Sequence, residues 1–257
     1  MAAAAALRLQ IEDALATRFP AALTPVSRTI HEVAATGIPA ADAMLNGGLP
    51  VGAISELVGP ECSGRTSLAL AFVARRTAAG NLCAWIDAGD AFDPQSAAAS
   101  GVRLRQLLWV RCRDAASAIV RKREERPWTR LDQALRATDL LLQTGGFGAL
   151  VLDLGDMNPA HGTRIPLASW FRFRNAADRS RCSLVVLGRA SYAQSSAAVV
   201  VDCAPLRVEI VGGTVLAASS FQLSGSRRRF VTQRAGVRKP PASIWSVQAT
   251  WDEEKSA

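Results

Sequence analysis

One short segment carries residue types at a spacing suited to holding phosphate. Gly59-Pro60-Glu61-Cys62-Ser63-Gly64-Arg65-Thr66 fits the pattern G-x-x-x-x-G-K-[ST] at every position but one. Its two glycines let the backbone wrap so that successive N–H groups face one point, at the positive end of the helix that follows. Thr66 would bring a hydroxyl to a Mg²⁺ ion. The exception is Arg65, which stands where a lysine should reach the outer phosphates. Arginine keeps the charge, but its planar guanidinium is wider and differently directed than an ammonium on a flexible stem. The plainer alternative is an incidental glycine-rich turn after a strand.

Other reactive types are sparse. Cys62, Cys83, Cys112, Cys182 and Cys203 are scattered singly, and the histidines are His31 and His161 alone. No cysteine pair has zinc spacing, so buried, reduced thiols are expected. Cys62 in the loop reads as a serine exchange or as a thiol activated by a helix N-terminus. Arg227, Arg228, Arg229, Arg234, Arg238 and Lys239 form a run without an acid, suited to a phosphate backbone or to a solvated sheet edge. The RKREER stretch at 121–126 mixes signs and reads as a solvated helix face. Trp170-Phe171-Arg172-Phe173-Arg174 has the composition of a stacking platform; in a helix, the same residues are core on one side and solvent on the other.

The elements that must position the loop are legible. AISELV at Ala53–Val58 reads as a buried strand, followed after the loop by an alanine-rich helix from about Thr66 to Ala79. Further strands are expected at Leu82–Asp87, Leu107–Arg111, a run ending at Asp153, and Ser183–Gly188, with helices between them. That alternation predicts an α/β fold: a mostly parallel, twisted sheet with helices on both faces. After residue 197 come strand-like runs at Ala197–Asp202, Leu206–Val211, Ala218–Leu223 and Arg228–Thr232. Pro205, Gly212-Gly213 and Gly225 separate them, which predicts antiparallel hairpins added at one sheet edge. Leu7, Ile11, Leu15 and Phe19 recur every four residues, an amphipathic helix ended by Pro20. Such a helix packs on its own domain or docks on a neighbour. The divisions expected are 1–30 for this helix and its linker, 31–240 for the core and 241–257 for a tail containing Trp245, Trp251 and an acidic end.

Composition narrows the class. The chain has 257 residues, 49% of them hydrophobic, enough for one α/β domain with additions. Lys plus Arg number 30 against 22 acids, a net charge of +8, with a pI near 10.0. That balance suits an anionic partner, nucleic acid or an acidic protein face; a GC-rich genome also yields arginine in place of lysine. No apolar stretch reaches the roughly 18 residues of a membrane helix. Arg8, Glu12 and Asp13 interrupt the N-terminal apolar patches, unlike a secretory signal. A soluble, cytoplasmic protein is expected.

The stretch TGIPAADAMLNGGLPVGAISELVGPECSGRTSLAL, residues 36–70, resembles the start of the ATPase core of RecA-type recombinases. It keeps Gly47, Gly48, Leu49, Pro50, Gly52, Ile54, Glu56, Gly59, Pro60, Glu61, Ser63, Gly64 and Thr66 of the family pattern. LCAWIDAGDAFDPQ resembles the family's I-D-A-E strand with its following L-D-P, and GFGALVLDL the strand bearing the metal-binding aspartate. The resemblance implies a RecA-like P-loop core and a nucleotide site at Gly59, Pro60, Glu61, Cys62, Ser63, Gly64, Arg65, Thr66, Ser67 and Asp153. Thr66 and Asp153 would be the Mg²⁺ ligands.

The departures matter as much. Where the family has its catalytic glutamate after I-D-A, this chain has Gly89, with Asp90 one residue along and one methylene shorter. A base must lie within reach of its water, and a displaced carboxylate is a poor substitute. Leu154 replaces a serine, and Gly188-Arg189 follows the fifth strand where the family has a phosphate-sensing glutamine. Only the stretch from Ala190 to Ala197 then separates that strand from the next, too short for the family's mobile DNA loop. The segment between Asp153 and the fifth strand, home of the family's other DNA loop, is also short.

These losses fit the ImuA group of RecA-like proteins, which are encoded in damage-induced mutagenesis cassettes. That resemblance implies an accessory role in translesion synthesis and the SOS response. Its partners would be a RecA-type recombinase, a Y-family polymerase-like protein, an error-prone polymerase and DNA, without a membrane. ATP and Mg²⁺ would bind weakly or not at all. DNA contact would fall on Arg227, Arg228, Arg229, Arg234, Arg238 and Lys239. Because an N-terminal helix lies on the adjacent subunit in the recombinases, Leu7, Ile11, Leu15 and Phe19 would make the partner contact. The competing reading is a slow DNA-dependent ATPase or recombinase in which Arg65 and Asp90 have taken over.

Overall fold

The computed structural model describes residues 32–113, 129–155, 157–211, 215–228 and 242–248. The N-terminal apolar stripe, the RKREER stretch and Arg229 to Lys239 lie outside the described residues.

Apolar runs of strand length become the centre of one sheet. Strand β1 (Val33–Ala34) pairs antiparallel with β2 (Leu49–Pro50) as a small separate ribbon, with helix α1 (Pro39–Met44) between them. The main sheet contains β3 (Ile54–Val58), β4 (Leu82–Asp87), β5 (Leu107–Arg111), β6 (Phe147–Asp153) and β7 (Ser183–Gly188). Three longer strands follow: β8 (Ala197–Val211), β9 (Val215–Arg228) and β10 (Ala242–Gln248). The order across the eight strands is β10-β9-β8-β3-β7-β6-β4-β5. From β8 to β5 every pairing is parallel, and β9 and β10 add antiparallel at one edge. The expected architecture is therefore the observed one.

Two apolar layers cover the sheet, because a parallel sheet must bury both faces. Helix α2 (Arg65–Ala78) places Leu68, Phe72 and Val73 against Trp85, Val151 and Leu187, joined by Ala97 of α3 (Pro94–Ala99). On the other face, α4 (Arg130–Thr144) and α6 (Leu167–Ser180) pack Ala134, Leu142, Trp170 and Phe173 against Leu150, Leu152 and Val186. A short turn of helix, α5 (Pro159–Gly162), precedes α6. Local signals set these starts. Asp93 accepts hydrogen bonds from the Gln95 and Ser96 N–H groups with Pro94 at the first helical position. Thr129 and Asp132 cap α4 reciprocally. In α6, Trp170 and Phe173 are buried while Arg172 pairs with Asp139 at 3.0 Å and Arg174 lies over Phe171. The aromatic–arginine run is thus a core face with a charged outer side.

The C-terminal third differs from expectation in three places. Ala197–Asp202 and Leu206–Val211 are one strand, because Pro205 falls at a register irregularity that absorbs its missing N–H. Ala218–Leu223 belongs to one long β9 that runs on to Arg228. Residues 242–248, expected as tail, form the edge strand β10, with Trp245 opposite Phe221 and their rings 5.0 Å apart. One buried aromatic, Trp245, holds this strand rather than a long apolar run, so its sequence signal is weak. Among the described residues, no helix is long and apolar enough to cross a membrane.

Four of the cysteines are buried free thiols, and Cys62 is exposed. Burial pushes the Cys83 thiol up to about 11 and the Cys182 and Cys203 thiols up to about 12. Since the thiolate is the reactive form, Ellman's reagent at pH 8 is expected to label Cys62 promptly. The other four should react only after denaturant is added. Prompt labelling of two or more thiols in the folded protein would contradict this packing.

Candidate functional site

Strands β3, β7, β6 and β4 lie side by side and end together, so their exit loops converge. Val58 is opposite Gly188, Leu187 opposite Asp153, and Asp153 opposite Asp87. The loop from Gly59 to Gly64 leaves β3 at this carboxyl end and runs straight into α2. Gly64 has a φ of 82°, the left-handed region, and a methyl there would stand 2.6 Å from the Phe221 ring. Both constraints demand glycine. The strand–loop–helix arrangement expected from the sequence is present. Pro60, Glu61, Cys62 and Thr66 are exposed, Gly59 and Ser67 half-buried, and Ser63 buried.

Arg65 does not project from this loop into solvent. It is buried, and its guanidinium donates to three backbone carbonyls: Gly59, Gly188 at 3.1 Å and Gly155 at 3.2 Å. Those acceptors belong to the loop itself, to the end of β7 and to the turn after Asp153. Arg189 strengthens the same junction, donating to the Gly155 carbonyl at 3.2 Å and pairing with Glu61. The Asp153 carboxylate accepts from the Gly155 N–H at 2.9 Å. The structure thus brings Asp153 to the loop through Gly155 and the two arginines.

The position of the family's base is taken up structurally. The Gly89 carbonyl accepts from Arg130 at 3.2 Å. Asp90, in the left-handed region at φ 58°, is held by Arg111 through two hydrogen bonds of 2.6 and 2.9 Å. That guanidinium holds the Asp90 carboxyl below the usual carboxylate range, so it is a weak base and is committed to Arg111. Asp87 is fully buried and accepts from the Ala91 and Phe92 N–H groups and from the Trp109 indole. It shapes the turn that carries Gly89 and Asp90.

Two residues missed as site elements organise the remaining loops. Glu56 is fully buried in β3, and its carboxylate accepts from the Ser191 hydroxyl at 2.5 Å and the Tyr192 and Ala193 N–H groups at 2.6 and 2.9 Å. Tyr192 is wedged between Gly162 and Gly188, where a methyl on either glycine would lie within 2.6 Å of its ring. The short segment after β7 and the one after β6 are therefore fastened to each other. A glutamate amid an apolar strand was the available signal for Glu56; nothing local marked Tyr192.

Nearby, a cleft of about 1320 Å³ opens between α4 and the α5–α6 segment, beside Ala88 and Gly89. Arg130, Arg136, Arg164, Arg172 and His161 line it, with Asp132 and Asp139. The basic run begins elsewhere: Arg227 and Arg228 end β9 opposite Val200 and Val199, back along the sheet from the phosphate-type loop.

The loop backbone fits a phosphate cradle, but the cation does not fit. The guanidinium that would neutralise outer phosphates is committed to carbonyls, and glycine stands where the base belongs. As placed, the Arg65 guanidinium is engaged by backbone carbonyls rather than open to an outer phosphate.

Comparison with known proteins bears on the fold and its relatives. Residues 10–120 match the RecA N-terminal domain family. The chain is 32% identical over 173 residues to Protein RecA of Allorhizobium ampelinum, covering 62% of this chain and 43% of that protein. It is 31% identical over the same length to Protein RecA of Ruegeria pomeroyi, covering 62% and 45%. The crystal structure of the RadB recombinase superposes with a TM-score of 0.55 at 16% identity, covering 85% of this chain and 96% of that one. The chain has a RecA/RadB-like fold. It spans less than half the length of these RecA proteins, and the RadB likeness is one of fold.

Within this RecA-like core, Glu56 carries the clearest energetic expectation. Removing a buried carboxylate strands three donors, each worth about 1–3 kcal/mol when left unsatisfied. Glu56→Ala should lower unfolding free energy by about 2–4 kcal/mol in urea titration. A loss under about 0.5 kcal/mol would show that water or a shifted loop replaces the carboxylate.

Proposed function

We propose that this chain is a RecA-like accessory protein of the DNA damage response, working by binding rather than by ATP turnover. Its partners are a RecA-type recombinase or a mutagenic polymerase assembly of the ImuA-associated kind, and DNA. The observation that carries the reading is the state of the catalytic position: Gly89 replaces the base, and Asp90 is locked to Arg111. The fastened loops after β6 and β7 support it, because loops tied through Tyr192 and Glu56 lack the freedom to order around a DNA strand.

The reading as a slow DNA-dependent ATPase is separated by one assay. Purified protein is incubated with ATP and Mg²⁺, with and without single-stranded DNA. No turnover beyond background is expected. Repeated turnover abolished by Asp153→Ala would overturn the accessory role.

The N-terminal helix is the proposed partner contact. Burying Leu7, Ile11, Leu15 and Phe19 offers roughly 6–12 kcal/mol of gross apolar transfer, most of it offset by association and ordering costs. Binding to the recombinase is therefore expected in the micromolar range. A pull-down with the host recombinase should retain the full chain and lose a chain starting near residue 24. Equal retention would place the contact elsewhere.

DNA contact is proposed for two basic surfaces, the run from Arg227 to Lys239 and the arginine-lined cleft. Among the described residues, neither Arg136 nor Arg164 has a carboxylate partner. Each phosphate neutralised adds about 0.7 to the salt slope of single-strand binding. The variants Arg227/Arg228/Arg229→Ala and Arg136/Arg164→Ala should each bind single strands more weakly, with a flatter salt dependence and near-parental melting. Unchanged affinity and slope in either variant would remove that surface from the proposal.

A further inference from the structure

The phosphate-type loop poses a physical problem that the charge on Arg65 solves. Gly59, Gly155 and Gly188 lie on three separate segments, yet their carbonyl oxygens point into one small volume. Arg65 fills it from within, with one guanidinium nitrogen shared between Gly59 and Gly188 and the other on Gly155. Arg189 adds a second donor to the Gly155 carbonyl and a pairing to Glu61 on the loop's outer side. Lysine has one nitrogen, and its compact ammonium cannot span acceptors set around a planar fork in this way.

We infer that Arg65 is an internal latch: it sets the phosphate loop, the turn after Asp153 and the end of β7 in one arrangement without nucleotide. An anionic ligand entering the loop must compete with three carbonyls for the same guanidinium. A ligand shifts a conformational equilibrium only by its preference for one state. With the loop already held, Mg²⁺–ATP has little left to order. The core is therefore held constitutively in a single state, and its partner binding does not depend on ATP. This deepens the proposed accessory role and rests on it for its biological meaning; the latch itself is tested separately.

Amide hydrogen exchange, followed by mass spectrometry, reads the latch directly. In the full chain, peptides covering 59–66, 153–157 and 187–193 should be protected, and millimolar Mg²⁺ with a slowly hydrolysed ATP analogue should leave that protection unchanged. Arg65→Met should raise exchange about tenfold or more in all three segments together, with the interior of β4 unchanged. Its melting temperature should fall by about 5–10 °C. Should Arg65→Met fail to fold, Arg65→Lys carries the test. It should loosen 153–157 and 187–193 while gaining nucleotide-dependent protection at 59–66. The latch is overturned if the Met variant loosens only 59–66, or if the Lys variant exchanges as the parent does with and without nucleotide. It is equally overturned if the parent itself gains protection from the nucleotide. A missing recombinase partner in the pull-down would sink the accessory role and leave these exchange results standing.

Discussion

Loops that leave parallel strands side by side cover one another's backbone carbonyls, and those carbonyls need donors once they are covered. At the carboxyl end of this sheet the acceptors of Gly59, Gly155 and Gly188 meet, and one guanidinium serves them all. Much of the site's character follows from that arrangement. The loop cannot move independently of β7, and the turn after Asp153 cannot move independently of the loop. A charge that would otherwise face an anionic ligand is spent on the protein's own backbone.

Glu56 performs the converse service one strand layer inward. Its buried carboxylate gathers one hydroxyl and two backbone N–H groups from residues 191–193. A buried polar group is costly unless its hydrogen bonds are complete, so the segment after β7 is pinned as firmly as it is short. Tyr192, placed by those bonds, then fills the space over Gly162 and Gly188. The two arms that would have to rearrange around a ligand are instead packed on each other through a single ring.

The parallel half of the fold was legible because its strands are short apolar runs punctuated by caps and glycines. β3, β4, β5, β6 and β7 fall within a residue or so of where periodicity and turn residues put them. The antiparallel edge was harder. Pro205 reads as a break, yet a bulge lets β8 pass through it. β10 shows only alternating small, polar and apolar residues, a pattern shared with many solvated tails. At the site, Gly59, Gly64 and Thr66 were visible as spacing, and Gly89 stood out only through the resemblance to the recombinase pattern. The direction of the Arg65 side chain was not, because it depends on carbonyls contributed from residues 155 and 188. Tyr192 was hidden for the same reason: its pocket is made of two glycines that are distant in sequence.

Substitutions in a catalytic apparatus need not be independent losses. The recombinase pattern places a glutamate where this chain has Gly89, and on the reading proposed here a lysine reaching outward from position 65 has little to act on. Arginine at that position instead offers up to five donors in a fixed plane, enough to close the strand ends that a nucleotide would otherwise help to order. Asp90, left beside the vacated base position, gains a use as the partner of Arg111, which in turn lies 4.7 Å over Trp109 and covers the sheet edge. At positions 65 and 90 the side chain is bonded within the protein, Arg65 to three backbone carbonyls and Asp90 to Arg111. Under the accessory role proposed above, a surface set in this way is one that a partner can use without nucleotide.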